Sequence, residues 1–177
     1  MTSKYLKCVL PVFLLLSTIV PVTAQELWSV GMRGGTSFSF NANQFQQVEG
    51  FADMTLPWEW DFYSDWRFVP RVDASAGWLS GEHTDAFVGT VGPLVELHKG
   101  TFPLVLEGGS SPTFLSRDRF GGKYFGERFQ FTSHLGLTWY ITQHVSVGYR
   151  FQHMSNAGIS SSNPGLNLQM LEMSYSF

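Results

Sequence analysis

Toward the end of the chain, His153 and Ser155 stand two residues apart in the run HMSNAGISSSNPGLN, residues 153–167. An imidazole that takes the proton of a nearby hydroxyl turns it into a nucleophile toward an acyl carbon. If the run begins as a strand, residues i and i+2 share one face, and the two groups can approach each other. The neighbouring residues suit the same chemistry. Asn156, Ala157 and Gly158 come next, and Asn163, Pro164 and Gly165 close the run. Gly and Asn admit tight turns that aim backbone N–H groups, the donors that an oxyanion needs. By itself a His-x-Ser is weak, because such a pair near a loop is commonly surface decoration. Its meaning depends on the elements that carry it.

Those elements read as strands. In VSVGYRFQHMS, Val145, Val147, Tyr149 and Phe151 share one face, and Ser146, Gly148, Arg150 and Gln152 the other. The last segment places Leu171, Met173, Tyr175 and Phe177 opposite Glu172, Ser174 and Ser176. This period of two recurs in eight segments: 26–40, 47–62, 66–79, 86–98, 101–114, 127–141, 144–155 and 166–177. Arg33, Glu59, Asp61, Arg67, Arg71, Asp73, Glu96, Glu107, Arg128, Arg150 and Glu172 fall opposite the aromatic face. Every strand is aromatic on its other side, and no helical pattern is available to cover it. The expectation is all-β: an eight-stranded antiparallel transmembrane β-barrel, apolar outside, with inward charges paired to one another. Eight strands leave an interior that side chains fill rather than a pore. A soluble lipocalin-like barrel is the competing all-β reading, but its polar side would face out.

The N-terminal residues agree with export. Lys4 and Lys7 precede an apolar stretch from Val9 to Val22, and Val22-Thr23-Ala24 reads as a cleavage site. Residues 1–24 are therefore read as a signal peptide and 25–177 as the barrel domain, with Gln25 the first mature residue. The apolar stretch is too short for a membrane anchor. Cys8 lies inside the leader and away from the cleavage point, which argues against a lipid-modified cysteine. The mature part has 153 residues and no Cys, and without Lys4 and Lys7 the formal charge of −3 becomes −5. That balance does not suit nucleic acid.

Trp28, Trp58, Trp60, Trp66, Trp78 and Trp139 sit near strand ends and suit interfacial girdles, and Phe177 ends the last strand with an aromatic ring. Connections near Tyr63–Asp65, Lys99–Gly100 and Thr142–Gln143 read as short; those near Asn41–Gln46, Ser80–Asp85, Ser116–Gly126 and Asn156–Gly165 read as longer. Short turns belong in the periplasm and long loops outside the cell, so residues 153–167 reach the last outer loop. His153 and Ser155 then continue the lipid-facing parity of Tyr149 and Phe151. A polar pair there is costly unless it has a task.

The stretch YRFQHMSNAGISSSNPGLN, ahead of the final strand of such a barrel, resembles the outer-membrane lipid A 3-O-deacylase family (PagL-like acyloxyacyl hydrolases). The match rests on H-x-S-N-A-G followed by N-x-G ten residues beyond the His. The resemblance implies an ester hydrolase in the outer membrane of a Gram-negative bacterium, acting on lipid A of lipopolysaccharide in the outer leaflet without a metal or other cofactor. It implies Ser155 as nucleophile, His153 as general base, and an oxyanion hole around Asn156 and Gly158 with Asn163 in support. In the family pattern a Glu orients the imidazole; here that position is Asn167, whose amide oxygen can hold the ring but brings no charge. Glu127 is the alternative acid, since Glu172 has the inward parity. Arg117, Arg119 and Lys123 are candidates for lipid A phosphates, or simply a solvated basic loop. His83, His98, His134 and His144 are scattered without metal-ligand spacing and read as structural, and GGKYFGERF lacks the order of a phosphate loop. Homodimerisation is open. The rivals are a non-catalytic structural or adhesion barrel, and a family member silenced at Asn167.

Overall fold

The computed structural model describes residues 28–38 and 44–177; the leader, its cleavage point and residues 39–43 of the first long connection lie outside the described residues. The regular elements are β1 (Trp28–Ser37), β2 (Phe45–Thr55), β3 (Trp60–Phe62), β4 (Trp66–Gly81), β5 (Thr84–Lys99), β6 (Leu104–Leu115), β7 (Arg119–Phe120), β8 (Lys123–Tyr124), β9 (Phe129–Tyr140), β10 (Val145–Ser155) and β11 (Leu166–Ser176). The eight long strands run antiparallel in the order β1-β2-β4-β5-β6-β9-β10-β11, and β11 pairs back onto β1 from Ser29↔Ser176 to Ser37↔Leu168. The sheet therefore closes and leaves no long edge, as the hydrocarbon phase requires. β3 is a short arm on β4, and β7–β8 a hairpin within a loop.

Alternation decides which way each side chain points. On β10, Arg150, Gln152 and Met154 are buried while Tyr149, Phe151 and His153 are exposed; on β11, Leu166, Leu168 and Met170 are buried while Asn167, Leu171 and Met173 are exposed. An apolar exterior of Val30, Met32, Val48, Val91, Leu106, Leu135, Leu137 and Leu171 is what lipid would cover.

The interior has two layers. Midway along, Arg33 bonds Glu49 and grips Asp73 with both terminal nitrogens at 2.9 and 3.0 Å. Arg150 meets Glu107 at 2.7 Å and Glu172 at 3.4 Å, and Arg71 meets Glu96 at 2.8 Å. Each of these guanidinium groups thus meets at least one carboxylate in the barrel's centre, the pairing that a buried charge requires. At the end that carries the long loops, Phe45, Leu79, Val88, Leu115, Met154, Leu166, Leu168 and Met170 form an apolar plug. Phe120 and Phe125, from the loop between β6 and β9, fold back into it and meet Phe45 with ring centroids 5.5 and 6.0 Å away. That loop is a cap over the barrel mouth.

Several expectations need correction. Segment 47–62 is not one strand: β2 stops at Thr55, ahead of Pro57, and the chain restarts as the β3 arm. Glu59 and Asp61 are consequently exposed at the barrel's end rather than inside, with Glu59 3.6 Å from Arg67, itself only half-buried. Arg128 precedes β9 and is exposed. The inward acids that parity on β2 supplies are Glu49 and Asp53, both buried. Ser80–Asp85 is not a long loop. β4 and β5 pair right up to Gly81↔Thr84, and Glu82 and His83 make the turn at φ of 51° and 60°. Left-handed φ at both central positions matches the twist of a two-residue hairpin. Of the six tryptophans, Trp78 alone lies toward the long-loop end; its ring packs on Phe87, and Phe114 and Phe129 share that rim.

Candidate active site

β10 and β11 carry the chemistry. His153 is the direct cross-strand partner of Asn167, and both side chains stand on the lipid-facing side. The imidazole Nδ1 lies 2.7 Å from Asn167 Oδ1. An amide oxygen accepts, so Nδ1 carries a hydrogen, and in the neutral ring this tautomer leaves the Nε2 lone pair that a general base needs. Ser155 is two residues on, on the same face, half-buried at the last position of β10. Immediately behind these three, on the inner face, Met154, Leu166 and Leu168 are buried in the apolar plug. The lipid-facing groups therefore stand on strand ends whose inner faces are pinned in the plug.

Gly165 completes the pocket around the ring. Its φ is +61°, and a Cβ there would come within 3.1 Å of His153 Cε1. This residue, in the middle of the NPGLN run, is legible in the sequence as a turn glycine but not as a wall of the imidazole site.

The loop after Ser155 is tied to the cap loop chiefly through Asn156, with Ser162 in support. Asn156 is wholly buried. Its Nδ2 donates to Phe125 O at 2.9 Å and to Ser162 O at 2.7 Å, while its Oδ1 accepts the Gly158 N–H at 2.9 Å. Its own N–H donates to Asn163 Oδ1 at 3.1 Å. Ser162 Oγ adds a bond to Tyr124 O at 2.9 Å. Gly126, at φ +87°, lets the two loops close: a Cβ there would fall 2.1 Å from Ser162 O. Asn156 and Gly158 thus spend their donors on loop architecture here, whereas no described hydrogen bond engages Asn163 Nδ2.

The remaining candidates disperse. Glu127 is exposed ahead of β9, and its backbone oxygen accepts from Gln130 Nε2; Asn167 holds the position beside His153. Glu172 points into the barrel toward Arg150. His98 bonds Glu96 inside the barrel, His134 is half-buried, His144 stacks on Tyr175, and His83 lies in the β4–β5 turn. Among the described residues no His, Cys, Asp or Glu cluster could hold a metal. Lys123 is half-buried over the Phe45 and Phe125 rings, each at 5.1 Å, and that burial holds its pKa below the usual lysine value. It borders an open cleft of about 590 Å³ with Gly122, Tyr124, Ser162, Asn163 and Pro164. Arg119 lies over Tyr124 at 4.5 Å, and Arg117 is exposed. Down the outer wall, a shallow apolar groove of about 540 Å³ runs between Met32, Leu137, Val147, Tyr149, Leu171 and Met173.

Comparison with known proteins gives concordant findings. The model of a family described as "Lipid A 3-O-deacylase (PagL)" matches residues 46–176. A relative from Bordetella bronchiseptica, "Lipid A deacylase PagL", is 29% identical over 150 residues, covering 82% of this chain and 84% of the relative. Among solved structures, the outer membrane enzyme PagL superposes with a TM-score of 0.71 at 19% identity, covering 82% of this chain and 97% of that one. Neisserial surface protein A (NspA) superposes with a TM-score of 0.52 at 13% identity, covering 85% and 96%. The two structural likenesses bear on the fold alone.

Proposed function

We propose, from the fact that the chain belongs to the lipid A 3-O-deacylase (PagL) family, that Ser155, His153 and Asn167 are the catalytic set of a lipid A esterase. The protein is an outer-membrane β-barrel and an ester hydrolase by family. The observation that carries the assignment of residues is the 2.7 Å contact of His153 Nδ1 with Asn167 Oδ1, with Ser155 on the same lipid-facing side.

In this reading His153 Nε2 takes the Ser155 proton as Oγ attacks the carbonyl of an ester-linked, 3-O acyl chain in the outer leaflet. The C–O bond to the sugar breaks, the proton passes from His153 to the departing sugar oxygen, and an acyl-enzyme remains. Water, deprotonated by the same imidazole, releases the fatty acid and restores Ser155. Asn163 Nδ2 is free to donate to the oxyanion. The Asn156 and Gly158 N–H groups become donors when that oxygen replaces the amide oxygens they now meet. The acyl chain lies along Phe151 and Tyr149 toward the apolar groove; at about 3.3 Å per residue Tyr149 is about 20 Å from Ser155, a length that an acyl chain spans. Lys123, in the cleft that also reaches Asn163, would meet a headgroup phosphate, with Arg117 and Arg119 further out. The leader 1–24 would deliver the chain across the inner membrane and be removed.

The test is direct. Mature protein is refolded in detergent with lipopolysaccharide, and lipid A and free fatty acid are followed by mass spectrometry. Loss of one acyl chain with the parent and none with Ser155→Ala is the expected result. Turnover that survives Ser155→Ala removes the assignment. A folded parent inert toward all acylated lipids would favour a silenced family member.

A further inference from the structure

The outer wall carries a polar row that the reaction above does not use. His153 on β10 pairs not only with Asn167 but, on its other side, with Ser133 of β9, and Ser133 in turn pairs with Ser110 of β6. Both serines are exposed on the lipid-facing side, and their hydroxyl oxygens are 3.0 Å apart. Their surroundings are apolar: Leu135 and Phe131 flank Ser133 along β9, and Val91 and Phe114 stand nearby on β5 and β6. At the same level the β5–β6 pairing breaks. It stops at Thr90↔Thr113 and resumes at Leu94↔Gly109, with Pro93 and Pro112, which have no N–H, in the gap. Ser110 lies at the edge of that gap. Polar groups at a hydrocarbon-facing surface are costly when nothing meets them.

We propose that Ser133, assisted by Ser110, selects the acyl chain to be cleaved by hydrogen-bonding a hydroxyl carried close to its ester carbonyl. The inference rests on Ser155 being the nucleophile of an esterase. Ser133 is the direct neighbour of His153, with Cβ atoms about 5 Å apart, and the diagonal neighbour of Ser155 at about 7–8 Å. A carbonyl carbon presented to Ser155 Oγ puts the third carbon of its chain about 2.5 Å further on. An oxygen on that carbon falls within reach of Ser133, on the membrane side, where the chain descends. Two hydroxyls that share one bond still hold one donor and several lone pairs for a third. An unsubstituted chain covers the pair and gives nothing back; a 3-hydroxyacyl chain joins it. Neither serine takes part in bond breaking, so the effect is on which acyl chain is taken.

The experiment compares a 3-hydroxyacyl ester with the unsubstituted ester of equal length and the same alcohol, in mixed micelles. Parent, Ser133→Ala, Ser110→Ala and Ser133→Thr are each checked for folding by heat-modifiable electrophoretic mobility. One hydrogen bond predicts about a tenfold kcat/KM preference for the hydroxylated ester in the parent. Ser133→Ala should lose that preference while keeping the rate on the plain ester, Ser110→Ala should lose part of it, and Ser133→Thr should keep it. The proposal is overturned if the parent shows no preference, or if Ser133→Ala lowers both rates alike. A folded parent that cleaves neither ester removes the esterase reading, and the selectivity with it.

Discussion

His153 and Asn167 face each other across β10 and β11 with Nδ1 and Oδ1 2.7 Å apart. An amide therefore fills the place in which the family resemblance implies a carboxylate. It fixes the ring and its tautomer but does not stabilise the imidazolium formed when Ser155 is deprotonated. Asn167→Asp, equal in size, should raise kcat about tenfold by adding that charge. Asn167→Ala should lower kcat about 10- to 100-fold with KM nearly unchanged, because the ring loses its anchor and the substrate does not. Steady-state kinetics on one lipid A preparation separate these outcomes. An Asp variant no faster than the parent would mean that charge at this position does not limit turnover.

Gly165 is the second point at which the ring is held. A methyl group added there would meet His153 Cε1 at 3.1 Å, and φ of +61° is strained for alanine. Gly165→Ala should leave the barrel folded and cost roughly tenfold or more in kcat by displacing the imidazole. Equal turnover in the two proteins would show that the ring has room to move.

Period two in a sequence encodes some of this architecture and is silent on the rest. Parity assigns Arg71, Asp73, Glu96, Glu107 and Arg150 to the interior and His153, Ser155 and Asn167 to the outer wall, because a closed sheet converts alternation directly into inside and outside. It fails where a strand ends unannounced. Arg128, Glu59 and Asp61 keep the inward parity but stand outside the barrel's length. Glu82–His83 turns without the Asn or Gly that would have marked it. The backbone donors of Asn156 and Gly158 go to the Asn163 and Asn156 amide oxygens, and the Asn156 amide nitrogen to the carbonyls of Phe125 and Ser162, partners that are distant or unremarkable in sequence. Nor does any local pattern in a loop indicate that Phe120 and Phe125 fold inward.

Asn156 is the joint on which that loop packing depends. Replacing it with Ala takes its donor from the Ser162 carbonyl, leaves the Phe125 carbonyl with only the long 3.5 Å bond from Gln130 Nε2, and frees the Gly158 N–H. A buried polar group that loses its partner costs about 1–3 kcal/mol, and part-burial puts the loss here toward the lower end. Asn156→Ala should loosen both loops while the barrel stays closed. Trypsin should then cut at Arg117, Arg119 or Lys123 well before it does in the parent, and activity should fall with loop order. Unchanged protease resistance in a folded variant would contradict the clamp.

Arg150 tests the separation of wall from site. Its guanidinium joins Glu107 and Glu172 in the barrel centre, and Thr138 Oγ1 donates to Glu107 at 3.0 Å. Arg150→Met leaves two carboxylates facing each other without their cation. Breaking a buried pair from one side costs about 3–5 kcal/mol. The midpoint of the heat-induced mobility shift should drop clearly. Adding Glu107→Gln should recover part of the loss, since the orphaned charge is then halved. At temperatures where both variants remain folded, turnover should stay close to the parent's, because Met154, Leu166 and Leu168 lie between this layer and the groups on the outer wall. A loss of kcat that tracks the charge rather than the melting midpoint would instead tie the ionic centre to the catalytic face.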